Sequence, residues 1–289
     1  MGEDLIEKSV MALGINPSVA ERLSHPERVI EFTFPVRRDN GKVVFLKGYR
    51  AQYNSALGSY KGGVRFHPAV DRDEVVLLAK LMVLKNSLAG LPYGGAKGGV
   101  AFNPKEFSRS EIERVARAYA RNIAPFIGPD VDIPAPDVNT NAETIAWMAD
   151  EHNSIAGRKE YAAYTGKPVE FGGLKGREEA TGLGVYYIME RALETHNVGK
   201  GARIAIQGFG NVAMSLARSL HSNGYKVVAL SDSKGGIYDE KGIDVEKAIA
   251  VKVKGGSVTE CKGAKAITCL LYTSQSPRDR TRSRMPSSA

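Results

Sequence analysis

ARIAIQGFGNVAMSLARSLHSNGYKVVALSDSKGG, residues 202–236, decides the fold of the second half of the chain. Residues 203–207 form a short apolar run with strand character. Gly208-Phe209-Gly210-Asn211-Val212-Ala213 then opens a helix that is expected to run to about residue 222. A second strand over residues 226–230 ends at Asp232, about 20 residues beyond the glycines, so strand, tight turn, helix, strand and acid follow one another as in a dinucleotide-binding fingerprint. Gly208 permits the turn, Gly210 lets the backbone come close to a pyrophosphate, and Ala213 allows close helix packing. Phe209, Asn211 and Val212 complete the loop whose amides and helix dipole would face the phosphates. A glycine turn in an unrelated doubly wound sheet is the competing reading. Asp232 is expected to bond the ribose 2′-hydroxyl, which favours NAD. Ser231, Ser233 and Lys234 beside it suit a 2′-phosphate, so NAD and NADP both stay open, and a plain turn-former is the alternative for Asp232.

Upstream, residues 29–36 alternate with Ile30, Phe32, Phe34 and Val36 on one face, the pattern of a half-buried strand. Residues 42–53 read as one or two more strands behind the turn Asp39-Asn40-Gly41. Residues 73–89 are expected to be helical. Ser108-x-x-Glu111 and Thr140-x-x-Glu143 read as capping boxes before two further helices, and a helix over residues 178–195 follows the glycine-rich stretch 166–176. The expected architecture is an α/β substrate-binding and oligomerisation domain over residues 1–176, followed by a partial Rossmann, doubly wound dinucleotide-binding domain over residues 177–268.

Two segments flank the helix at 73–89, Tyr60-Lys61-Gly62-Gly63-Val64-Arg65 and Gly94-Gly95-Ala96-Lys97-Gly98-Gly99. Glycines on both sides of a lysine let the backbone wrap closely around a small ligand and can shield the amine from water, which lowers an ammonium pKa and suits proton transfer. A glycine turn with a solvated lysine is the alternative for either segment alone.

Composition narrows the classes. Hydrophobic residues make up 43% and charged residues 25% of 289, ordinary globular usage that leaves no case for wholesale disorder or a fibrous repeat. No apolar run approaches a membrane span, and the acidic start Met1-Gly2-Glu3-Asp4 does not resemble a secretory signal, so a cytoplasmic location is expected. Cys261 and Cys269 make no disulfide framework, and the five histidines lack metal-ligand spacing, so no metal site is expected. Of the net charge of +8, the last 21 residues carry +3 and the preceding 268 carry a dispersed +5 with no basic stripe, which argues against a nucleic-acid partner.

The motifs together carry a resemblance. YKGGVRFHP, LMVLKNSLAGLPYGGAKGG, PAPDVNT, GREEATG and GFGNV occur in the order and spacing of the glutamate, leucine, phenylalanine and valine dehydrogenase family, across essentially all of residues 1–268. The resemblance implies that Lys97 is the catalytic lysine assisting attack of water on an imino intermediate, and that Asp137 shuttles a proton to and from the substrate nitrogen. By the same likeness, Lys85 holds the substrate α-carboxylate, Gly62 and Gly63 lie against the substrate, and Thr181 lies near the nicotinamide amide. For the residues alone, Asp137 reads equally as a loop or helix-capping carboxylate, Lys85 as a solvated helix lysine and Thr181 as an ordinary helix residue. Lys61 corresponds to the residue that pairs with the side-chain carboxylate in members acting on glutamate; members acting on leucine or phenylalanine have an apolar residue there. The resemblance thus implies NAD- or NADP-dependent oxidative deamination of L-glutamate to 2-oxoglutarate and ammonium by a homohexamer without membrane attachment. A dehydrogenase of branched-chain or aromatic amino acids and an inactive truncated assembly partner are the alternatives.

From Cys269 the text CLLYTSQSPRDRTRSRMPSSA changes character and resembles a translated library adapter. Residues 269–289 are expected to be a non-native tail left by cloning or assembly, with the natural sequence continuing past Thr268.

Overall fold

The computed structural model describes residues 5–267, so the expected tail lies outside the described residues. Two compact units divide at Leu174 and Lys175.

The first unit contains α1 (Leu5–Ala12), α2 (Pro17–Ser24), β1 (Arg28–Arg37), β2 (Val43–Asn54), β3 (Tyr60–Phe66), α3 (Arg72–Leu88), β4 (Gly95–Ala101), α4 (Arg109–Ile123), β5 (Asp132–Pro136) and α5 (Ala142–Ala156). Its five strands lie in the order β1-β2-β4-β3-β5. β1 pairs antiparallel with β2 from Arg28↔Gln52 to Arg37↔Val43, so residues 42–53 yield one long strand. β2 runs antiparallel to β4, whereas β3 lies parallel to both β4 and β5.

β3 and β4 are the strands that composition conceals, because YKGGVRF and GAKGGVA contain too much glycine to read as strands. Packing explains the glycines. A Cβ on Gly95 would lie 2.6 Å from the Ala79 carbonyl oxygen of α3, and one on Gly98 would lie 2.1 Å from the Tyr119 hydroxyl of α4. Helices press on both faces of the sheet, and strand alternation sorts the side chains between them. Leu46, Val64, Phe66 and Val100 pack with Val115, Tyr119, Ile145 and Met148 of α4 and α5. Tyr49, Ala51 and Tyr53 pack with Val75 and Ala79 of α3 on the opposite face. By the same alternation Lys61, Arg65 and Lys97 belong to the α3 face.

Ser108 caps α4 in the expected box with Glu111. The box expected at Thr140 starts one residue later: Asn141 caps α5 and pairs with Thr144. Thr140 cannot serve as the cap because its hydroxyl already accepts from the Asp137 amide at 2.7 Å and donates to the Val64 carbonyl at 2.8 Å.

The second unit contains α6 (Arg177–Thr195), β6 (Arg203–Gln207), α7 (Asn211–Ser222), β7 (Lys226–Asp232), β8 (Gly235–Tyr238), α8 (Val245–Val253) and β9 (Lys265–Ile267). The sheet order is β6-β7-β8-β9. β6 and β7 are parallel across α7, the Rossmann-like half, and β8 and β9 continue the sheet antiparallel. Its core joins Phe209, Ala213, Ala217 and Leu220 to Val227, Leu230 and Ile249. No described helix is long and apolar enough to cross a membrane.

Candidate functional site

Lys97 and Asp137 meet in the first unit. Lys97 lies in the middle of β4, only 5% exposed, and Asp137 follows the last residue of β5. The Lys97 Nζ stands 2.8 Å from Asp137 Oδ1. Asp137 Oδ2 accepts from Arg65 Nε, also at 2.8 Å, and Arg65 reaches with Nη1 to Glu74 Oε1 at 2.6 Å. A chain of four alternating charges, Lys97, Asp137, Arg65 and Glu74, therefore crosses from β4 past β3 to the first turn of α3. Burial pushes the Lys97 ammonium below the ordinary lysine range; Asp137 opposes this in part, while the Arg65 and Arg50 guanidiniums add to it. Burial raises Asp137, but Lys97 and Arg65 outweigh that and hold its carboxyl below the ordinary range. An amine eased toward neutrality beside a carboxylate held charged is a pair able to move protons in both directions.

The glycines make this approach possible. A Cβ on Gly63 would stand 2.7 Å from the Asp137 Cβ, and one on Gly62 would stand 1.5 Å from the Ala96 carbonyl oxygen. Both glycines are buried, and their missing side chains are used by the strands themselves. Lys61 sits on β3 with Nζ 5.0 Å from the Tyr93 ring centroid, a cation–π distance. Lys85 is exposed in the last turn of α3.

Beneath the site lies a second polar network. Arg50 and Asp132 are both fully buried and ion-paired; Arg50 Nε donates to Asp132 Oδ2 at 2.9 Å and Nη1 to the Gly62 carbonyl at 3.2 Å. Gln52 bridges Asp132 Oδ2 and the Phe126 carbonyl, each at 2.9 Å. This network ties β2, β3 and β5 together under the lysine-bearing strand.

The nucleotide-binding candidates lie in the second unit. Gly208 takes φ +85°, which a side chain would strain, and a Cβ on either Gly208 or Gly210 would meet nothing within 4 Å. Gly210 opens α7 without any side-chain cap, so its first amides face the open space beside the two glycines. Asn211 and Val212 are exposed in that first turn, whereas Phe209 is 2% exposed and belongs to the core. Thr181 is exposed on α6, next to Gly182, which lets α6 close onto α7. The residues present fit a pyrophosphate at the glycine turn.

Asp232 is held differently from the expectation. Oδ1 accepts from the Lys234 amide at 2.9 Å and Ser257 Oγ at 3.0 Å; Oδ2 accepts from Lys252 Nζ and the Val258 amide, both at 2.9 Å. A carboxylate has about four acceptor positions, and here the chain fills four. The carboxyl is accordingly held far below the ordinary range: burial opposes, and Lys252, the two amides and Ser257 prevail. Asp232 acts as a clasp between β7 and residues 252–258. Because its folded pKa is depressed, its contribution is fully present above the unfolded carboxyl value, near ~4, and fades as pH falls through the folded value. Asp232→Asn is expected to cost about 1.5–3 kcal/mol at pH 7, a loss read as a lower urea midpoint of the second unit. The gap between the two proteins should narrow steadily on acidification below the unfolded value; a gap that widens there contradicts the clasp.

No local motif marks a role for Arg65, Glu74 or Lys252. Their partners lie 72, 9 and 20 residues away. Only the two-residue alternation from Lys61 through Gly63 to Arg65 hints that Arg65 shares a face with Lys61. Among the described residues, no group of three or more His, Cys, Asp or Glu side chains is placed to hold a metal ion.

Comparison with known proteins adds independent findings. Residues 26–154 match the model of the Glu/Leu/Phe/Val dehydrogenase dimerisation domain, and residues 172–276 match that of the Glutamate/Leucine/Phenylalanine/Valine dehydrogenase domain. The NADP-specific glutamate dehydrogenase of Synechocystis sp. is 47% identical over 248 residues, covering 86% of this chain and 58% of that protein. The NAD-specific glutamate dehydrogenase of Staphylococcus aureus is 42% identical over 258 residues, covering 89% of this chain and 62% of that protein. Among solved structures, the hetero-hexameric glutamate dehydrogenase of Thermus thermophilus in its Leu-bound form superposes with a TM-score of 0.84 at 36% identity, over 90% of this chain and 65% of that one. Glutamate dehydrogenase of Peptoniphilus asaccharolyticus gives 0.77 at 42% identity, over 86% and 65%. The chain spans about 60% of the length of the curated relatives it matches.

Proposed function

The chain belongs to the Glu/Leu/Phe/Val dehydrogenase family, and from that premise we propose that this protein is an NAD(P)-dependent glutamate dehydrogenase. The reaction is the reversible conversion of L-glutamate to 2-oxoglutarate and ammonium. The observation that carries this reading is the pairing of the buried Lys97 with the half-buried Asp137 at 2.8 Å. A bound nicotinamide dinucleotide supplies the acceptor for the α-hydride. Lys97, once neutral, takes a proton from the water that adds to the imino carbon; Asp137 takes a proton from the substrate nitrogen and returns it as ammonia leaves. Burial keeps bulk water from levelling the difference between the amine and the carboxylate.

Lys85 is assigned to the substrate α-carboxylate, and Lys61 to the side-chain carboxylate, with Gly62 and Gly63 lying against the substrate. The side-chain carboxylate of glutamate offers the Lys61 ammonium a charged hydrogen-bond acceptor and the leucine side chain offers none, so Lys61 favours glutamate over leucine. Gly208, Phe209, Gly210, Asn211 and Val212 form the pyrophosphate turn, Phe209 by anchoring it to the core, and Thr181 is assigned to the nicotinamide side. With Asp232 occupied by its own chain, the choice between NAD and NADP rests on other groups around the ribose, and relatives of both kinds match. A cytoplasmic homohexamer is part of the same proposal, as is a domain boundary near residue 176.

Side-by-side turnover of L-glutamate and L-leucine with NAD and with NADP tests the reading. Glutamate is expected to be preferred by at least tenfold in kcat/KM, the scale of ~1.4 kcal/mol. A preference for leucine overturns the Lys61 assignment.

A further inference from the structure

We propose that Arg65 is a positioning residue for the Lys97–Asp137 pair: anchored by Glu74, it takes one oxygen of Asp137 and leaves the other to Lys97. This rests on the roles proposed above for Lys97 and Asp137. The geometry is specific. Arg65 uses Nε on Asp137 Oδ2 and Nη1 on Glu74 Oε1, so the planar guanidinium is fixed between two acids on different elements. Asp137 is further held at its backbone, where its amide donates to Thr140 Oγ1 at 2.7 Å. The carboxylate therefore has one orientation, with Oδ1 toward Lys97.

Sharing has an electrostatic consequence. A carboxylate paired with Lys97 alone would tie that amine as a tight ammonium partner. Arg65 divides the negative charge and places a second cation near the amine. The charged groups around Lys97 come from several elements: Arg65 of β3, on the same face as Lys61; Asp137 beyond β5; Glu74 of α3, which reaches the site through Arg65; and, from the opposite face of the sheet, Arg50 of β2, itself paired with Asp132 of β5. Tyr119 of α4 lies under Gly98 and stays neutral, since burial pushes its hydroxyl well up. Glu74 Oε2 is buried with no hydrogen-bond partner, so Glu74 spends its one bonded oxygen on Arg65. The assembly is a lever of alternating charge, and removing Arg65 strips away the cation that offsets Asp137 at the lysine.

The test needs no turnover and uses the chain as it stands. Lys97 is followed in 13C-lysine-labelled protein by its Cε shift against pH, assigned with Lys97→Arg. In Arg65→Met the Lys97 midpoint is expected to move alkaline, because the amine loses a cationic neighbour and keeps an undivided carboxylate. An unchanged or acid-shifted midpoint, with the amide spectrum still that of the folded unit, overturns the proposal. Should Arg65→Met not fold, Glu74→Gln carries the test. The amide oxygen of the glutamine still accepts from Arg65 Nη1 while the anion behind Arg65 is lost, which leaves more positive charge beside Lys97, so the midpoint should move acid, and an unchanged or alkaline midpoint overturns the proposal. A purely structural role for Arg65 would not shift the titration of one lysine. Failure to oxidise glutamate would speak against the proposed reaction while leaving this titration intact.

Discussion

Asp132→Asn is expected to destabilise the first unit by about 3–5 kcal/mol. Asn conserves the volume and removes only the charge. Arg50 and Asp132 are each 0% exposed, so the change leaves a guanidinium buried against a neutral amide. Arg50 Nε and Gln52 Nε2 both donate to Oδ2, and an amide nitrogen at that position would face two donors. Water cannot compensate either. Because this network spans β2, β3 and β5, the loss should appear as cooperative unfolding of the whole sheet and not as fraying of one strand. Urea unfolding monitored through Trp147 in α5, the chain's one tryptophan, measures it directly. A loss below about 1 kcal/mol, the range of exposed pairs, would show that the network is solvated. The double change Arg50→Met with Asp132→Leu should recover much of the loss, since apolar replacement of a buried pair is commonly neutral or better.

Lys97→Ala should remove about 10²–10⁴-fold of turnover, the usual contribution of a positioned acid or base. The measurement belongs in a protein carried to the length of its relatives. Binding of the nucleotide should persist, because the glycine turn at Gly208 belongs to the second unit and the substitution to the first. Amino acid oxidation by the parent is expected to rise with pH as Lys97 loses its proton, and the rise should begin below the ordinary lysine range, since burial lowers this amine. The variant should lose that limb of the profile. Near-parental turnover at every pH would reject Lys97 as the base. Lys97→Arg separates charge from proton transfer: it keeps a cation beside Asp137 that cannot become neutral, so it should leave turnover as low as Lys97→Ala does.

Much of the molecule can be read without coordinates, and the exceptions share one cause. β1 is visible because its period of two exposes one face, and β6, α7 and β7 are visible because glycine, an apolar run and an acid recur at fixed short spacings. β3 and β4 are hidden because their glycines answer to helices that press on them from both faces, a requirement imposed by residues such as Ala79 and Tyr119. Asn141 displaces Thr140 as the cap of α5 because the Thr140 hydroxyl is taken by Val64, 76 residues back. Asp232 shows the limit most clearly. Its place at the end of β7 suits a ribose ligand, yet Lys252, Ser257 and the Val258 amide claim its oxygens from a segment with no motif.

The amino-acid sequence by itself determines elements such as β1, β6, α7 and β7, the glycine turn at Gly208 and the family motifs that single out Lys61, Lys97 and Asp137, because these depend on short-range periodicity, backbone freedom and spacing along the chain. Tertiary structure alone decides that Lys97 and Asp137 stand 2.8 Å apart, that Arg65 and Glu74 complete the charge chain, and that Asp232 is spent on its own unit. The physical reason is that charge pairing and desolvation act through space between strands and helices distant in sequence, and only the packed sheet sets those distances.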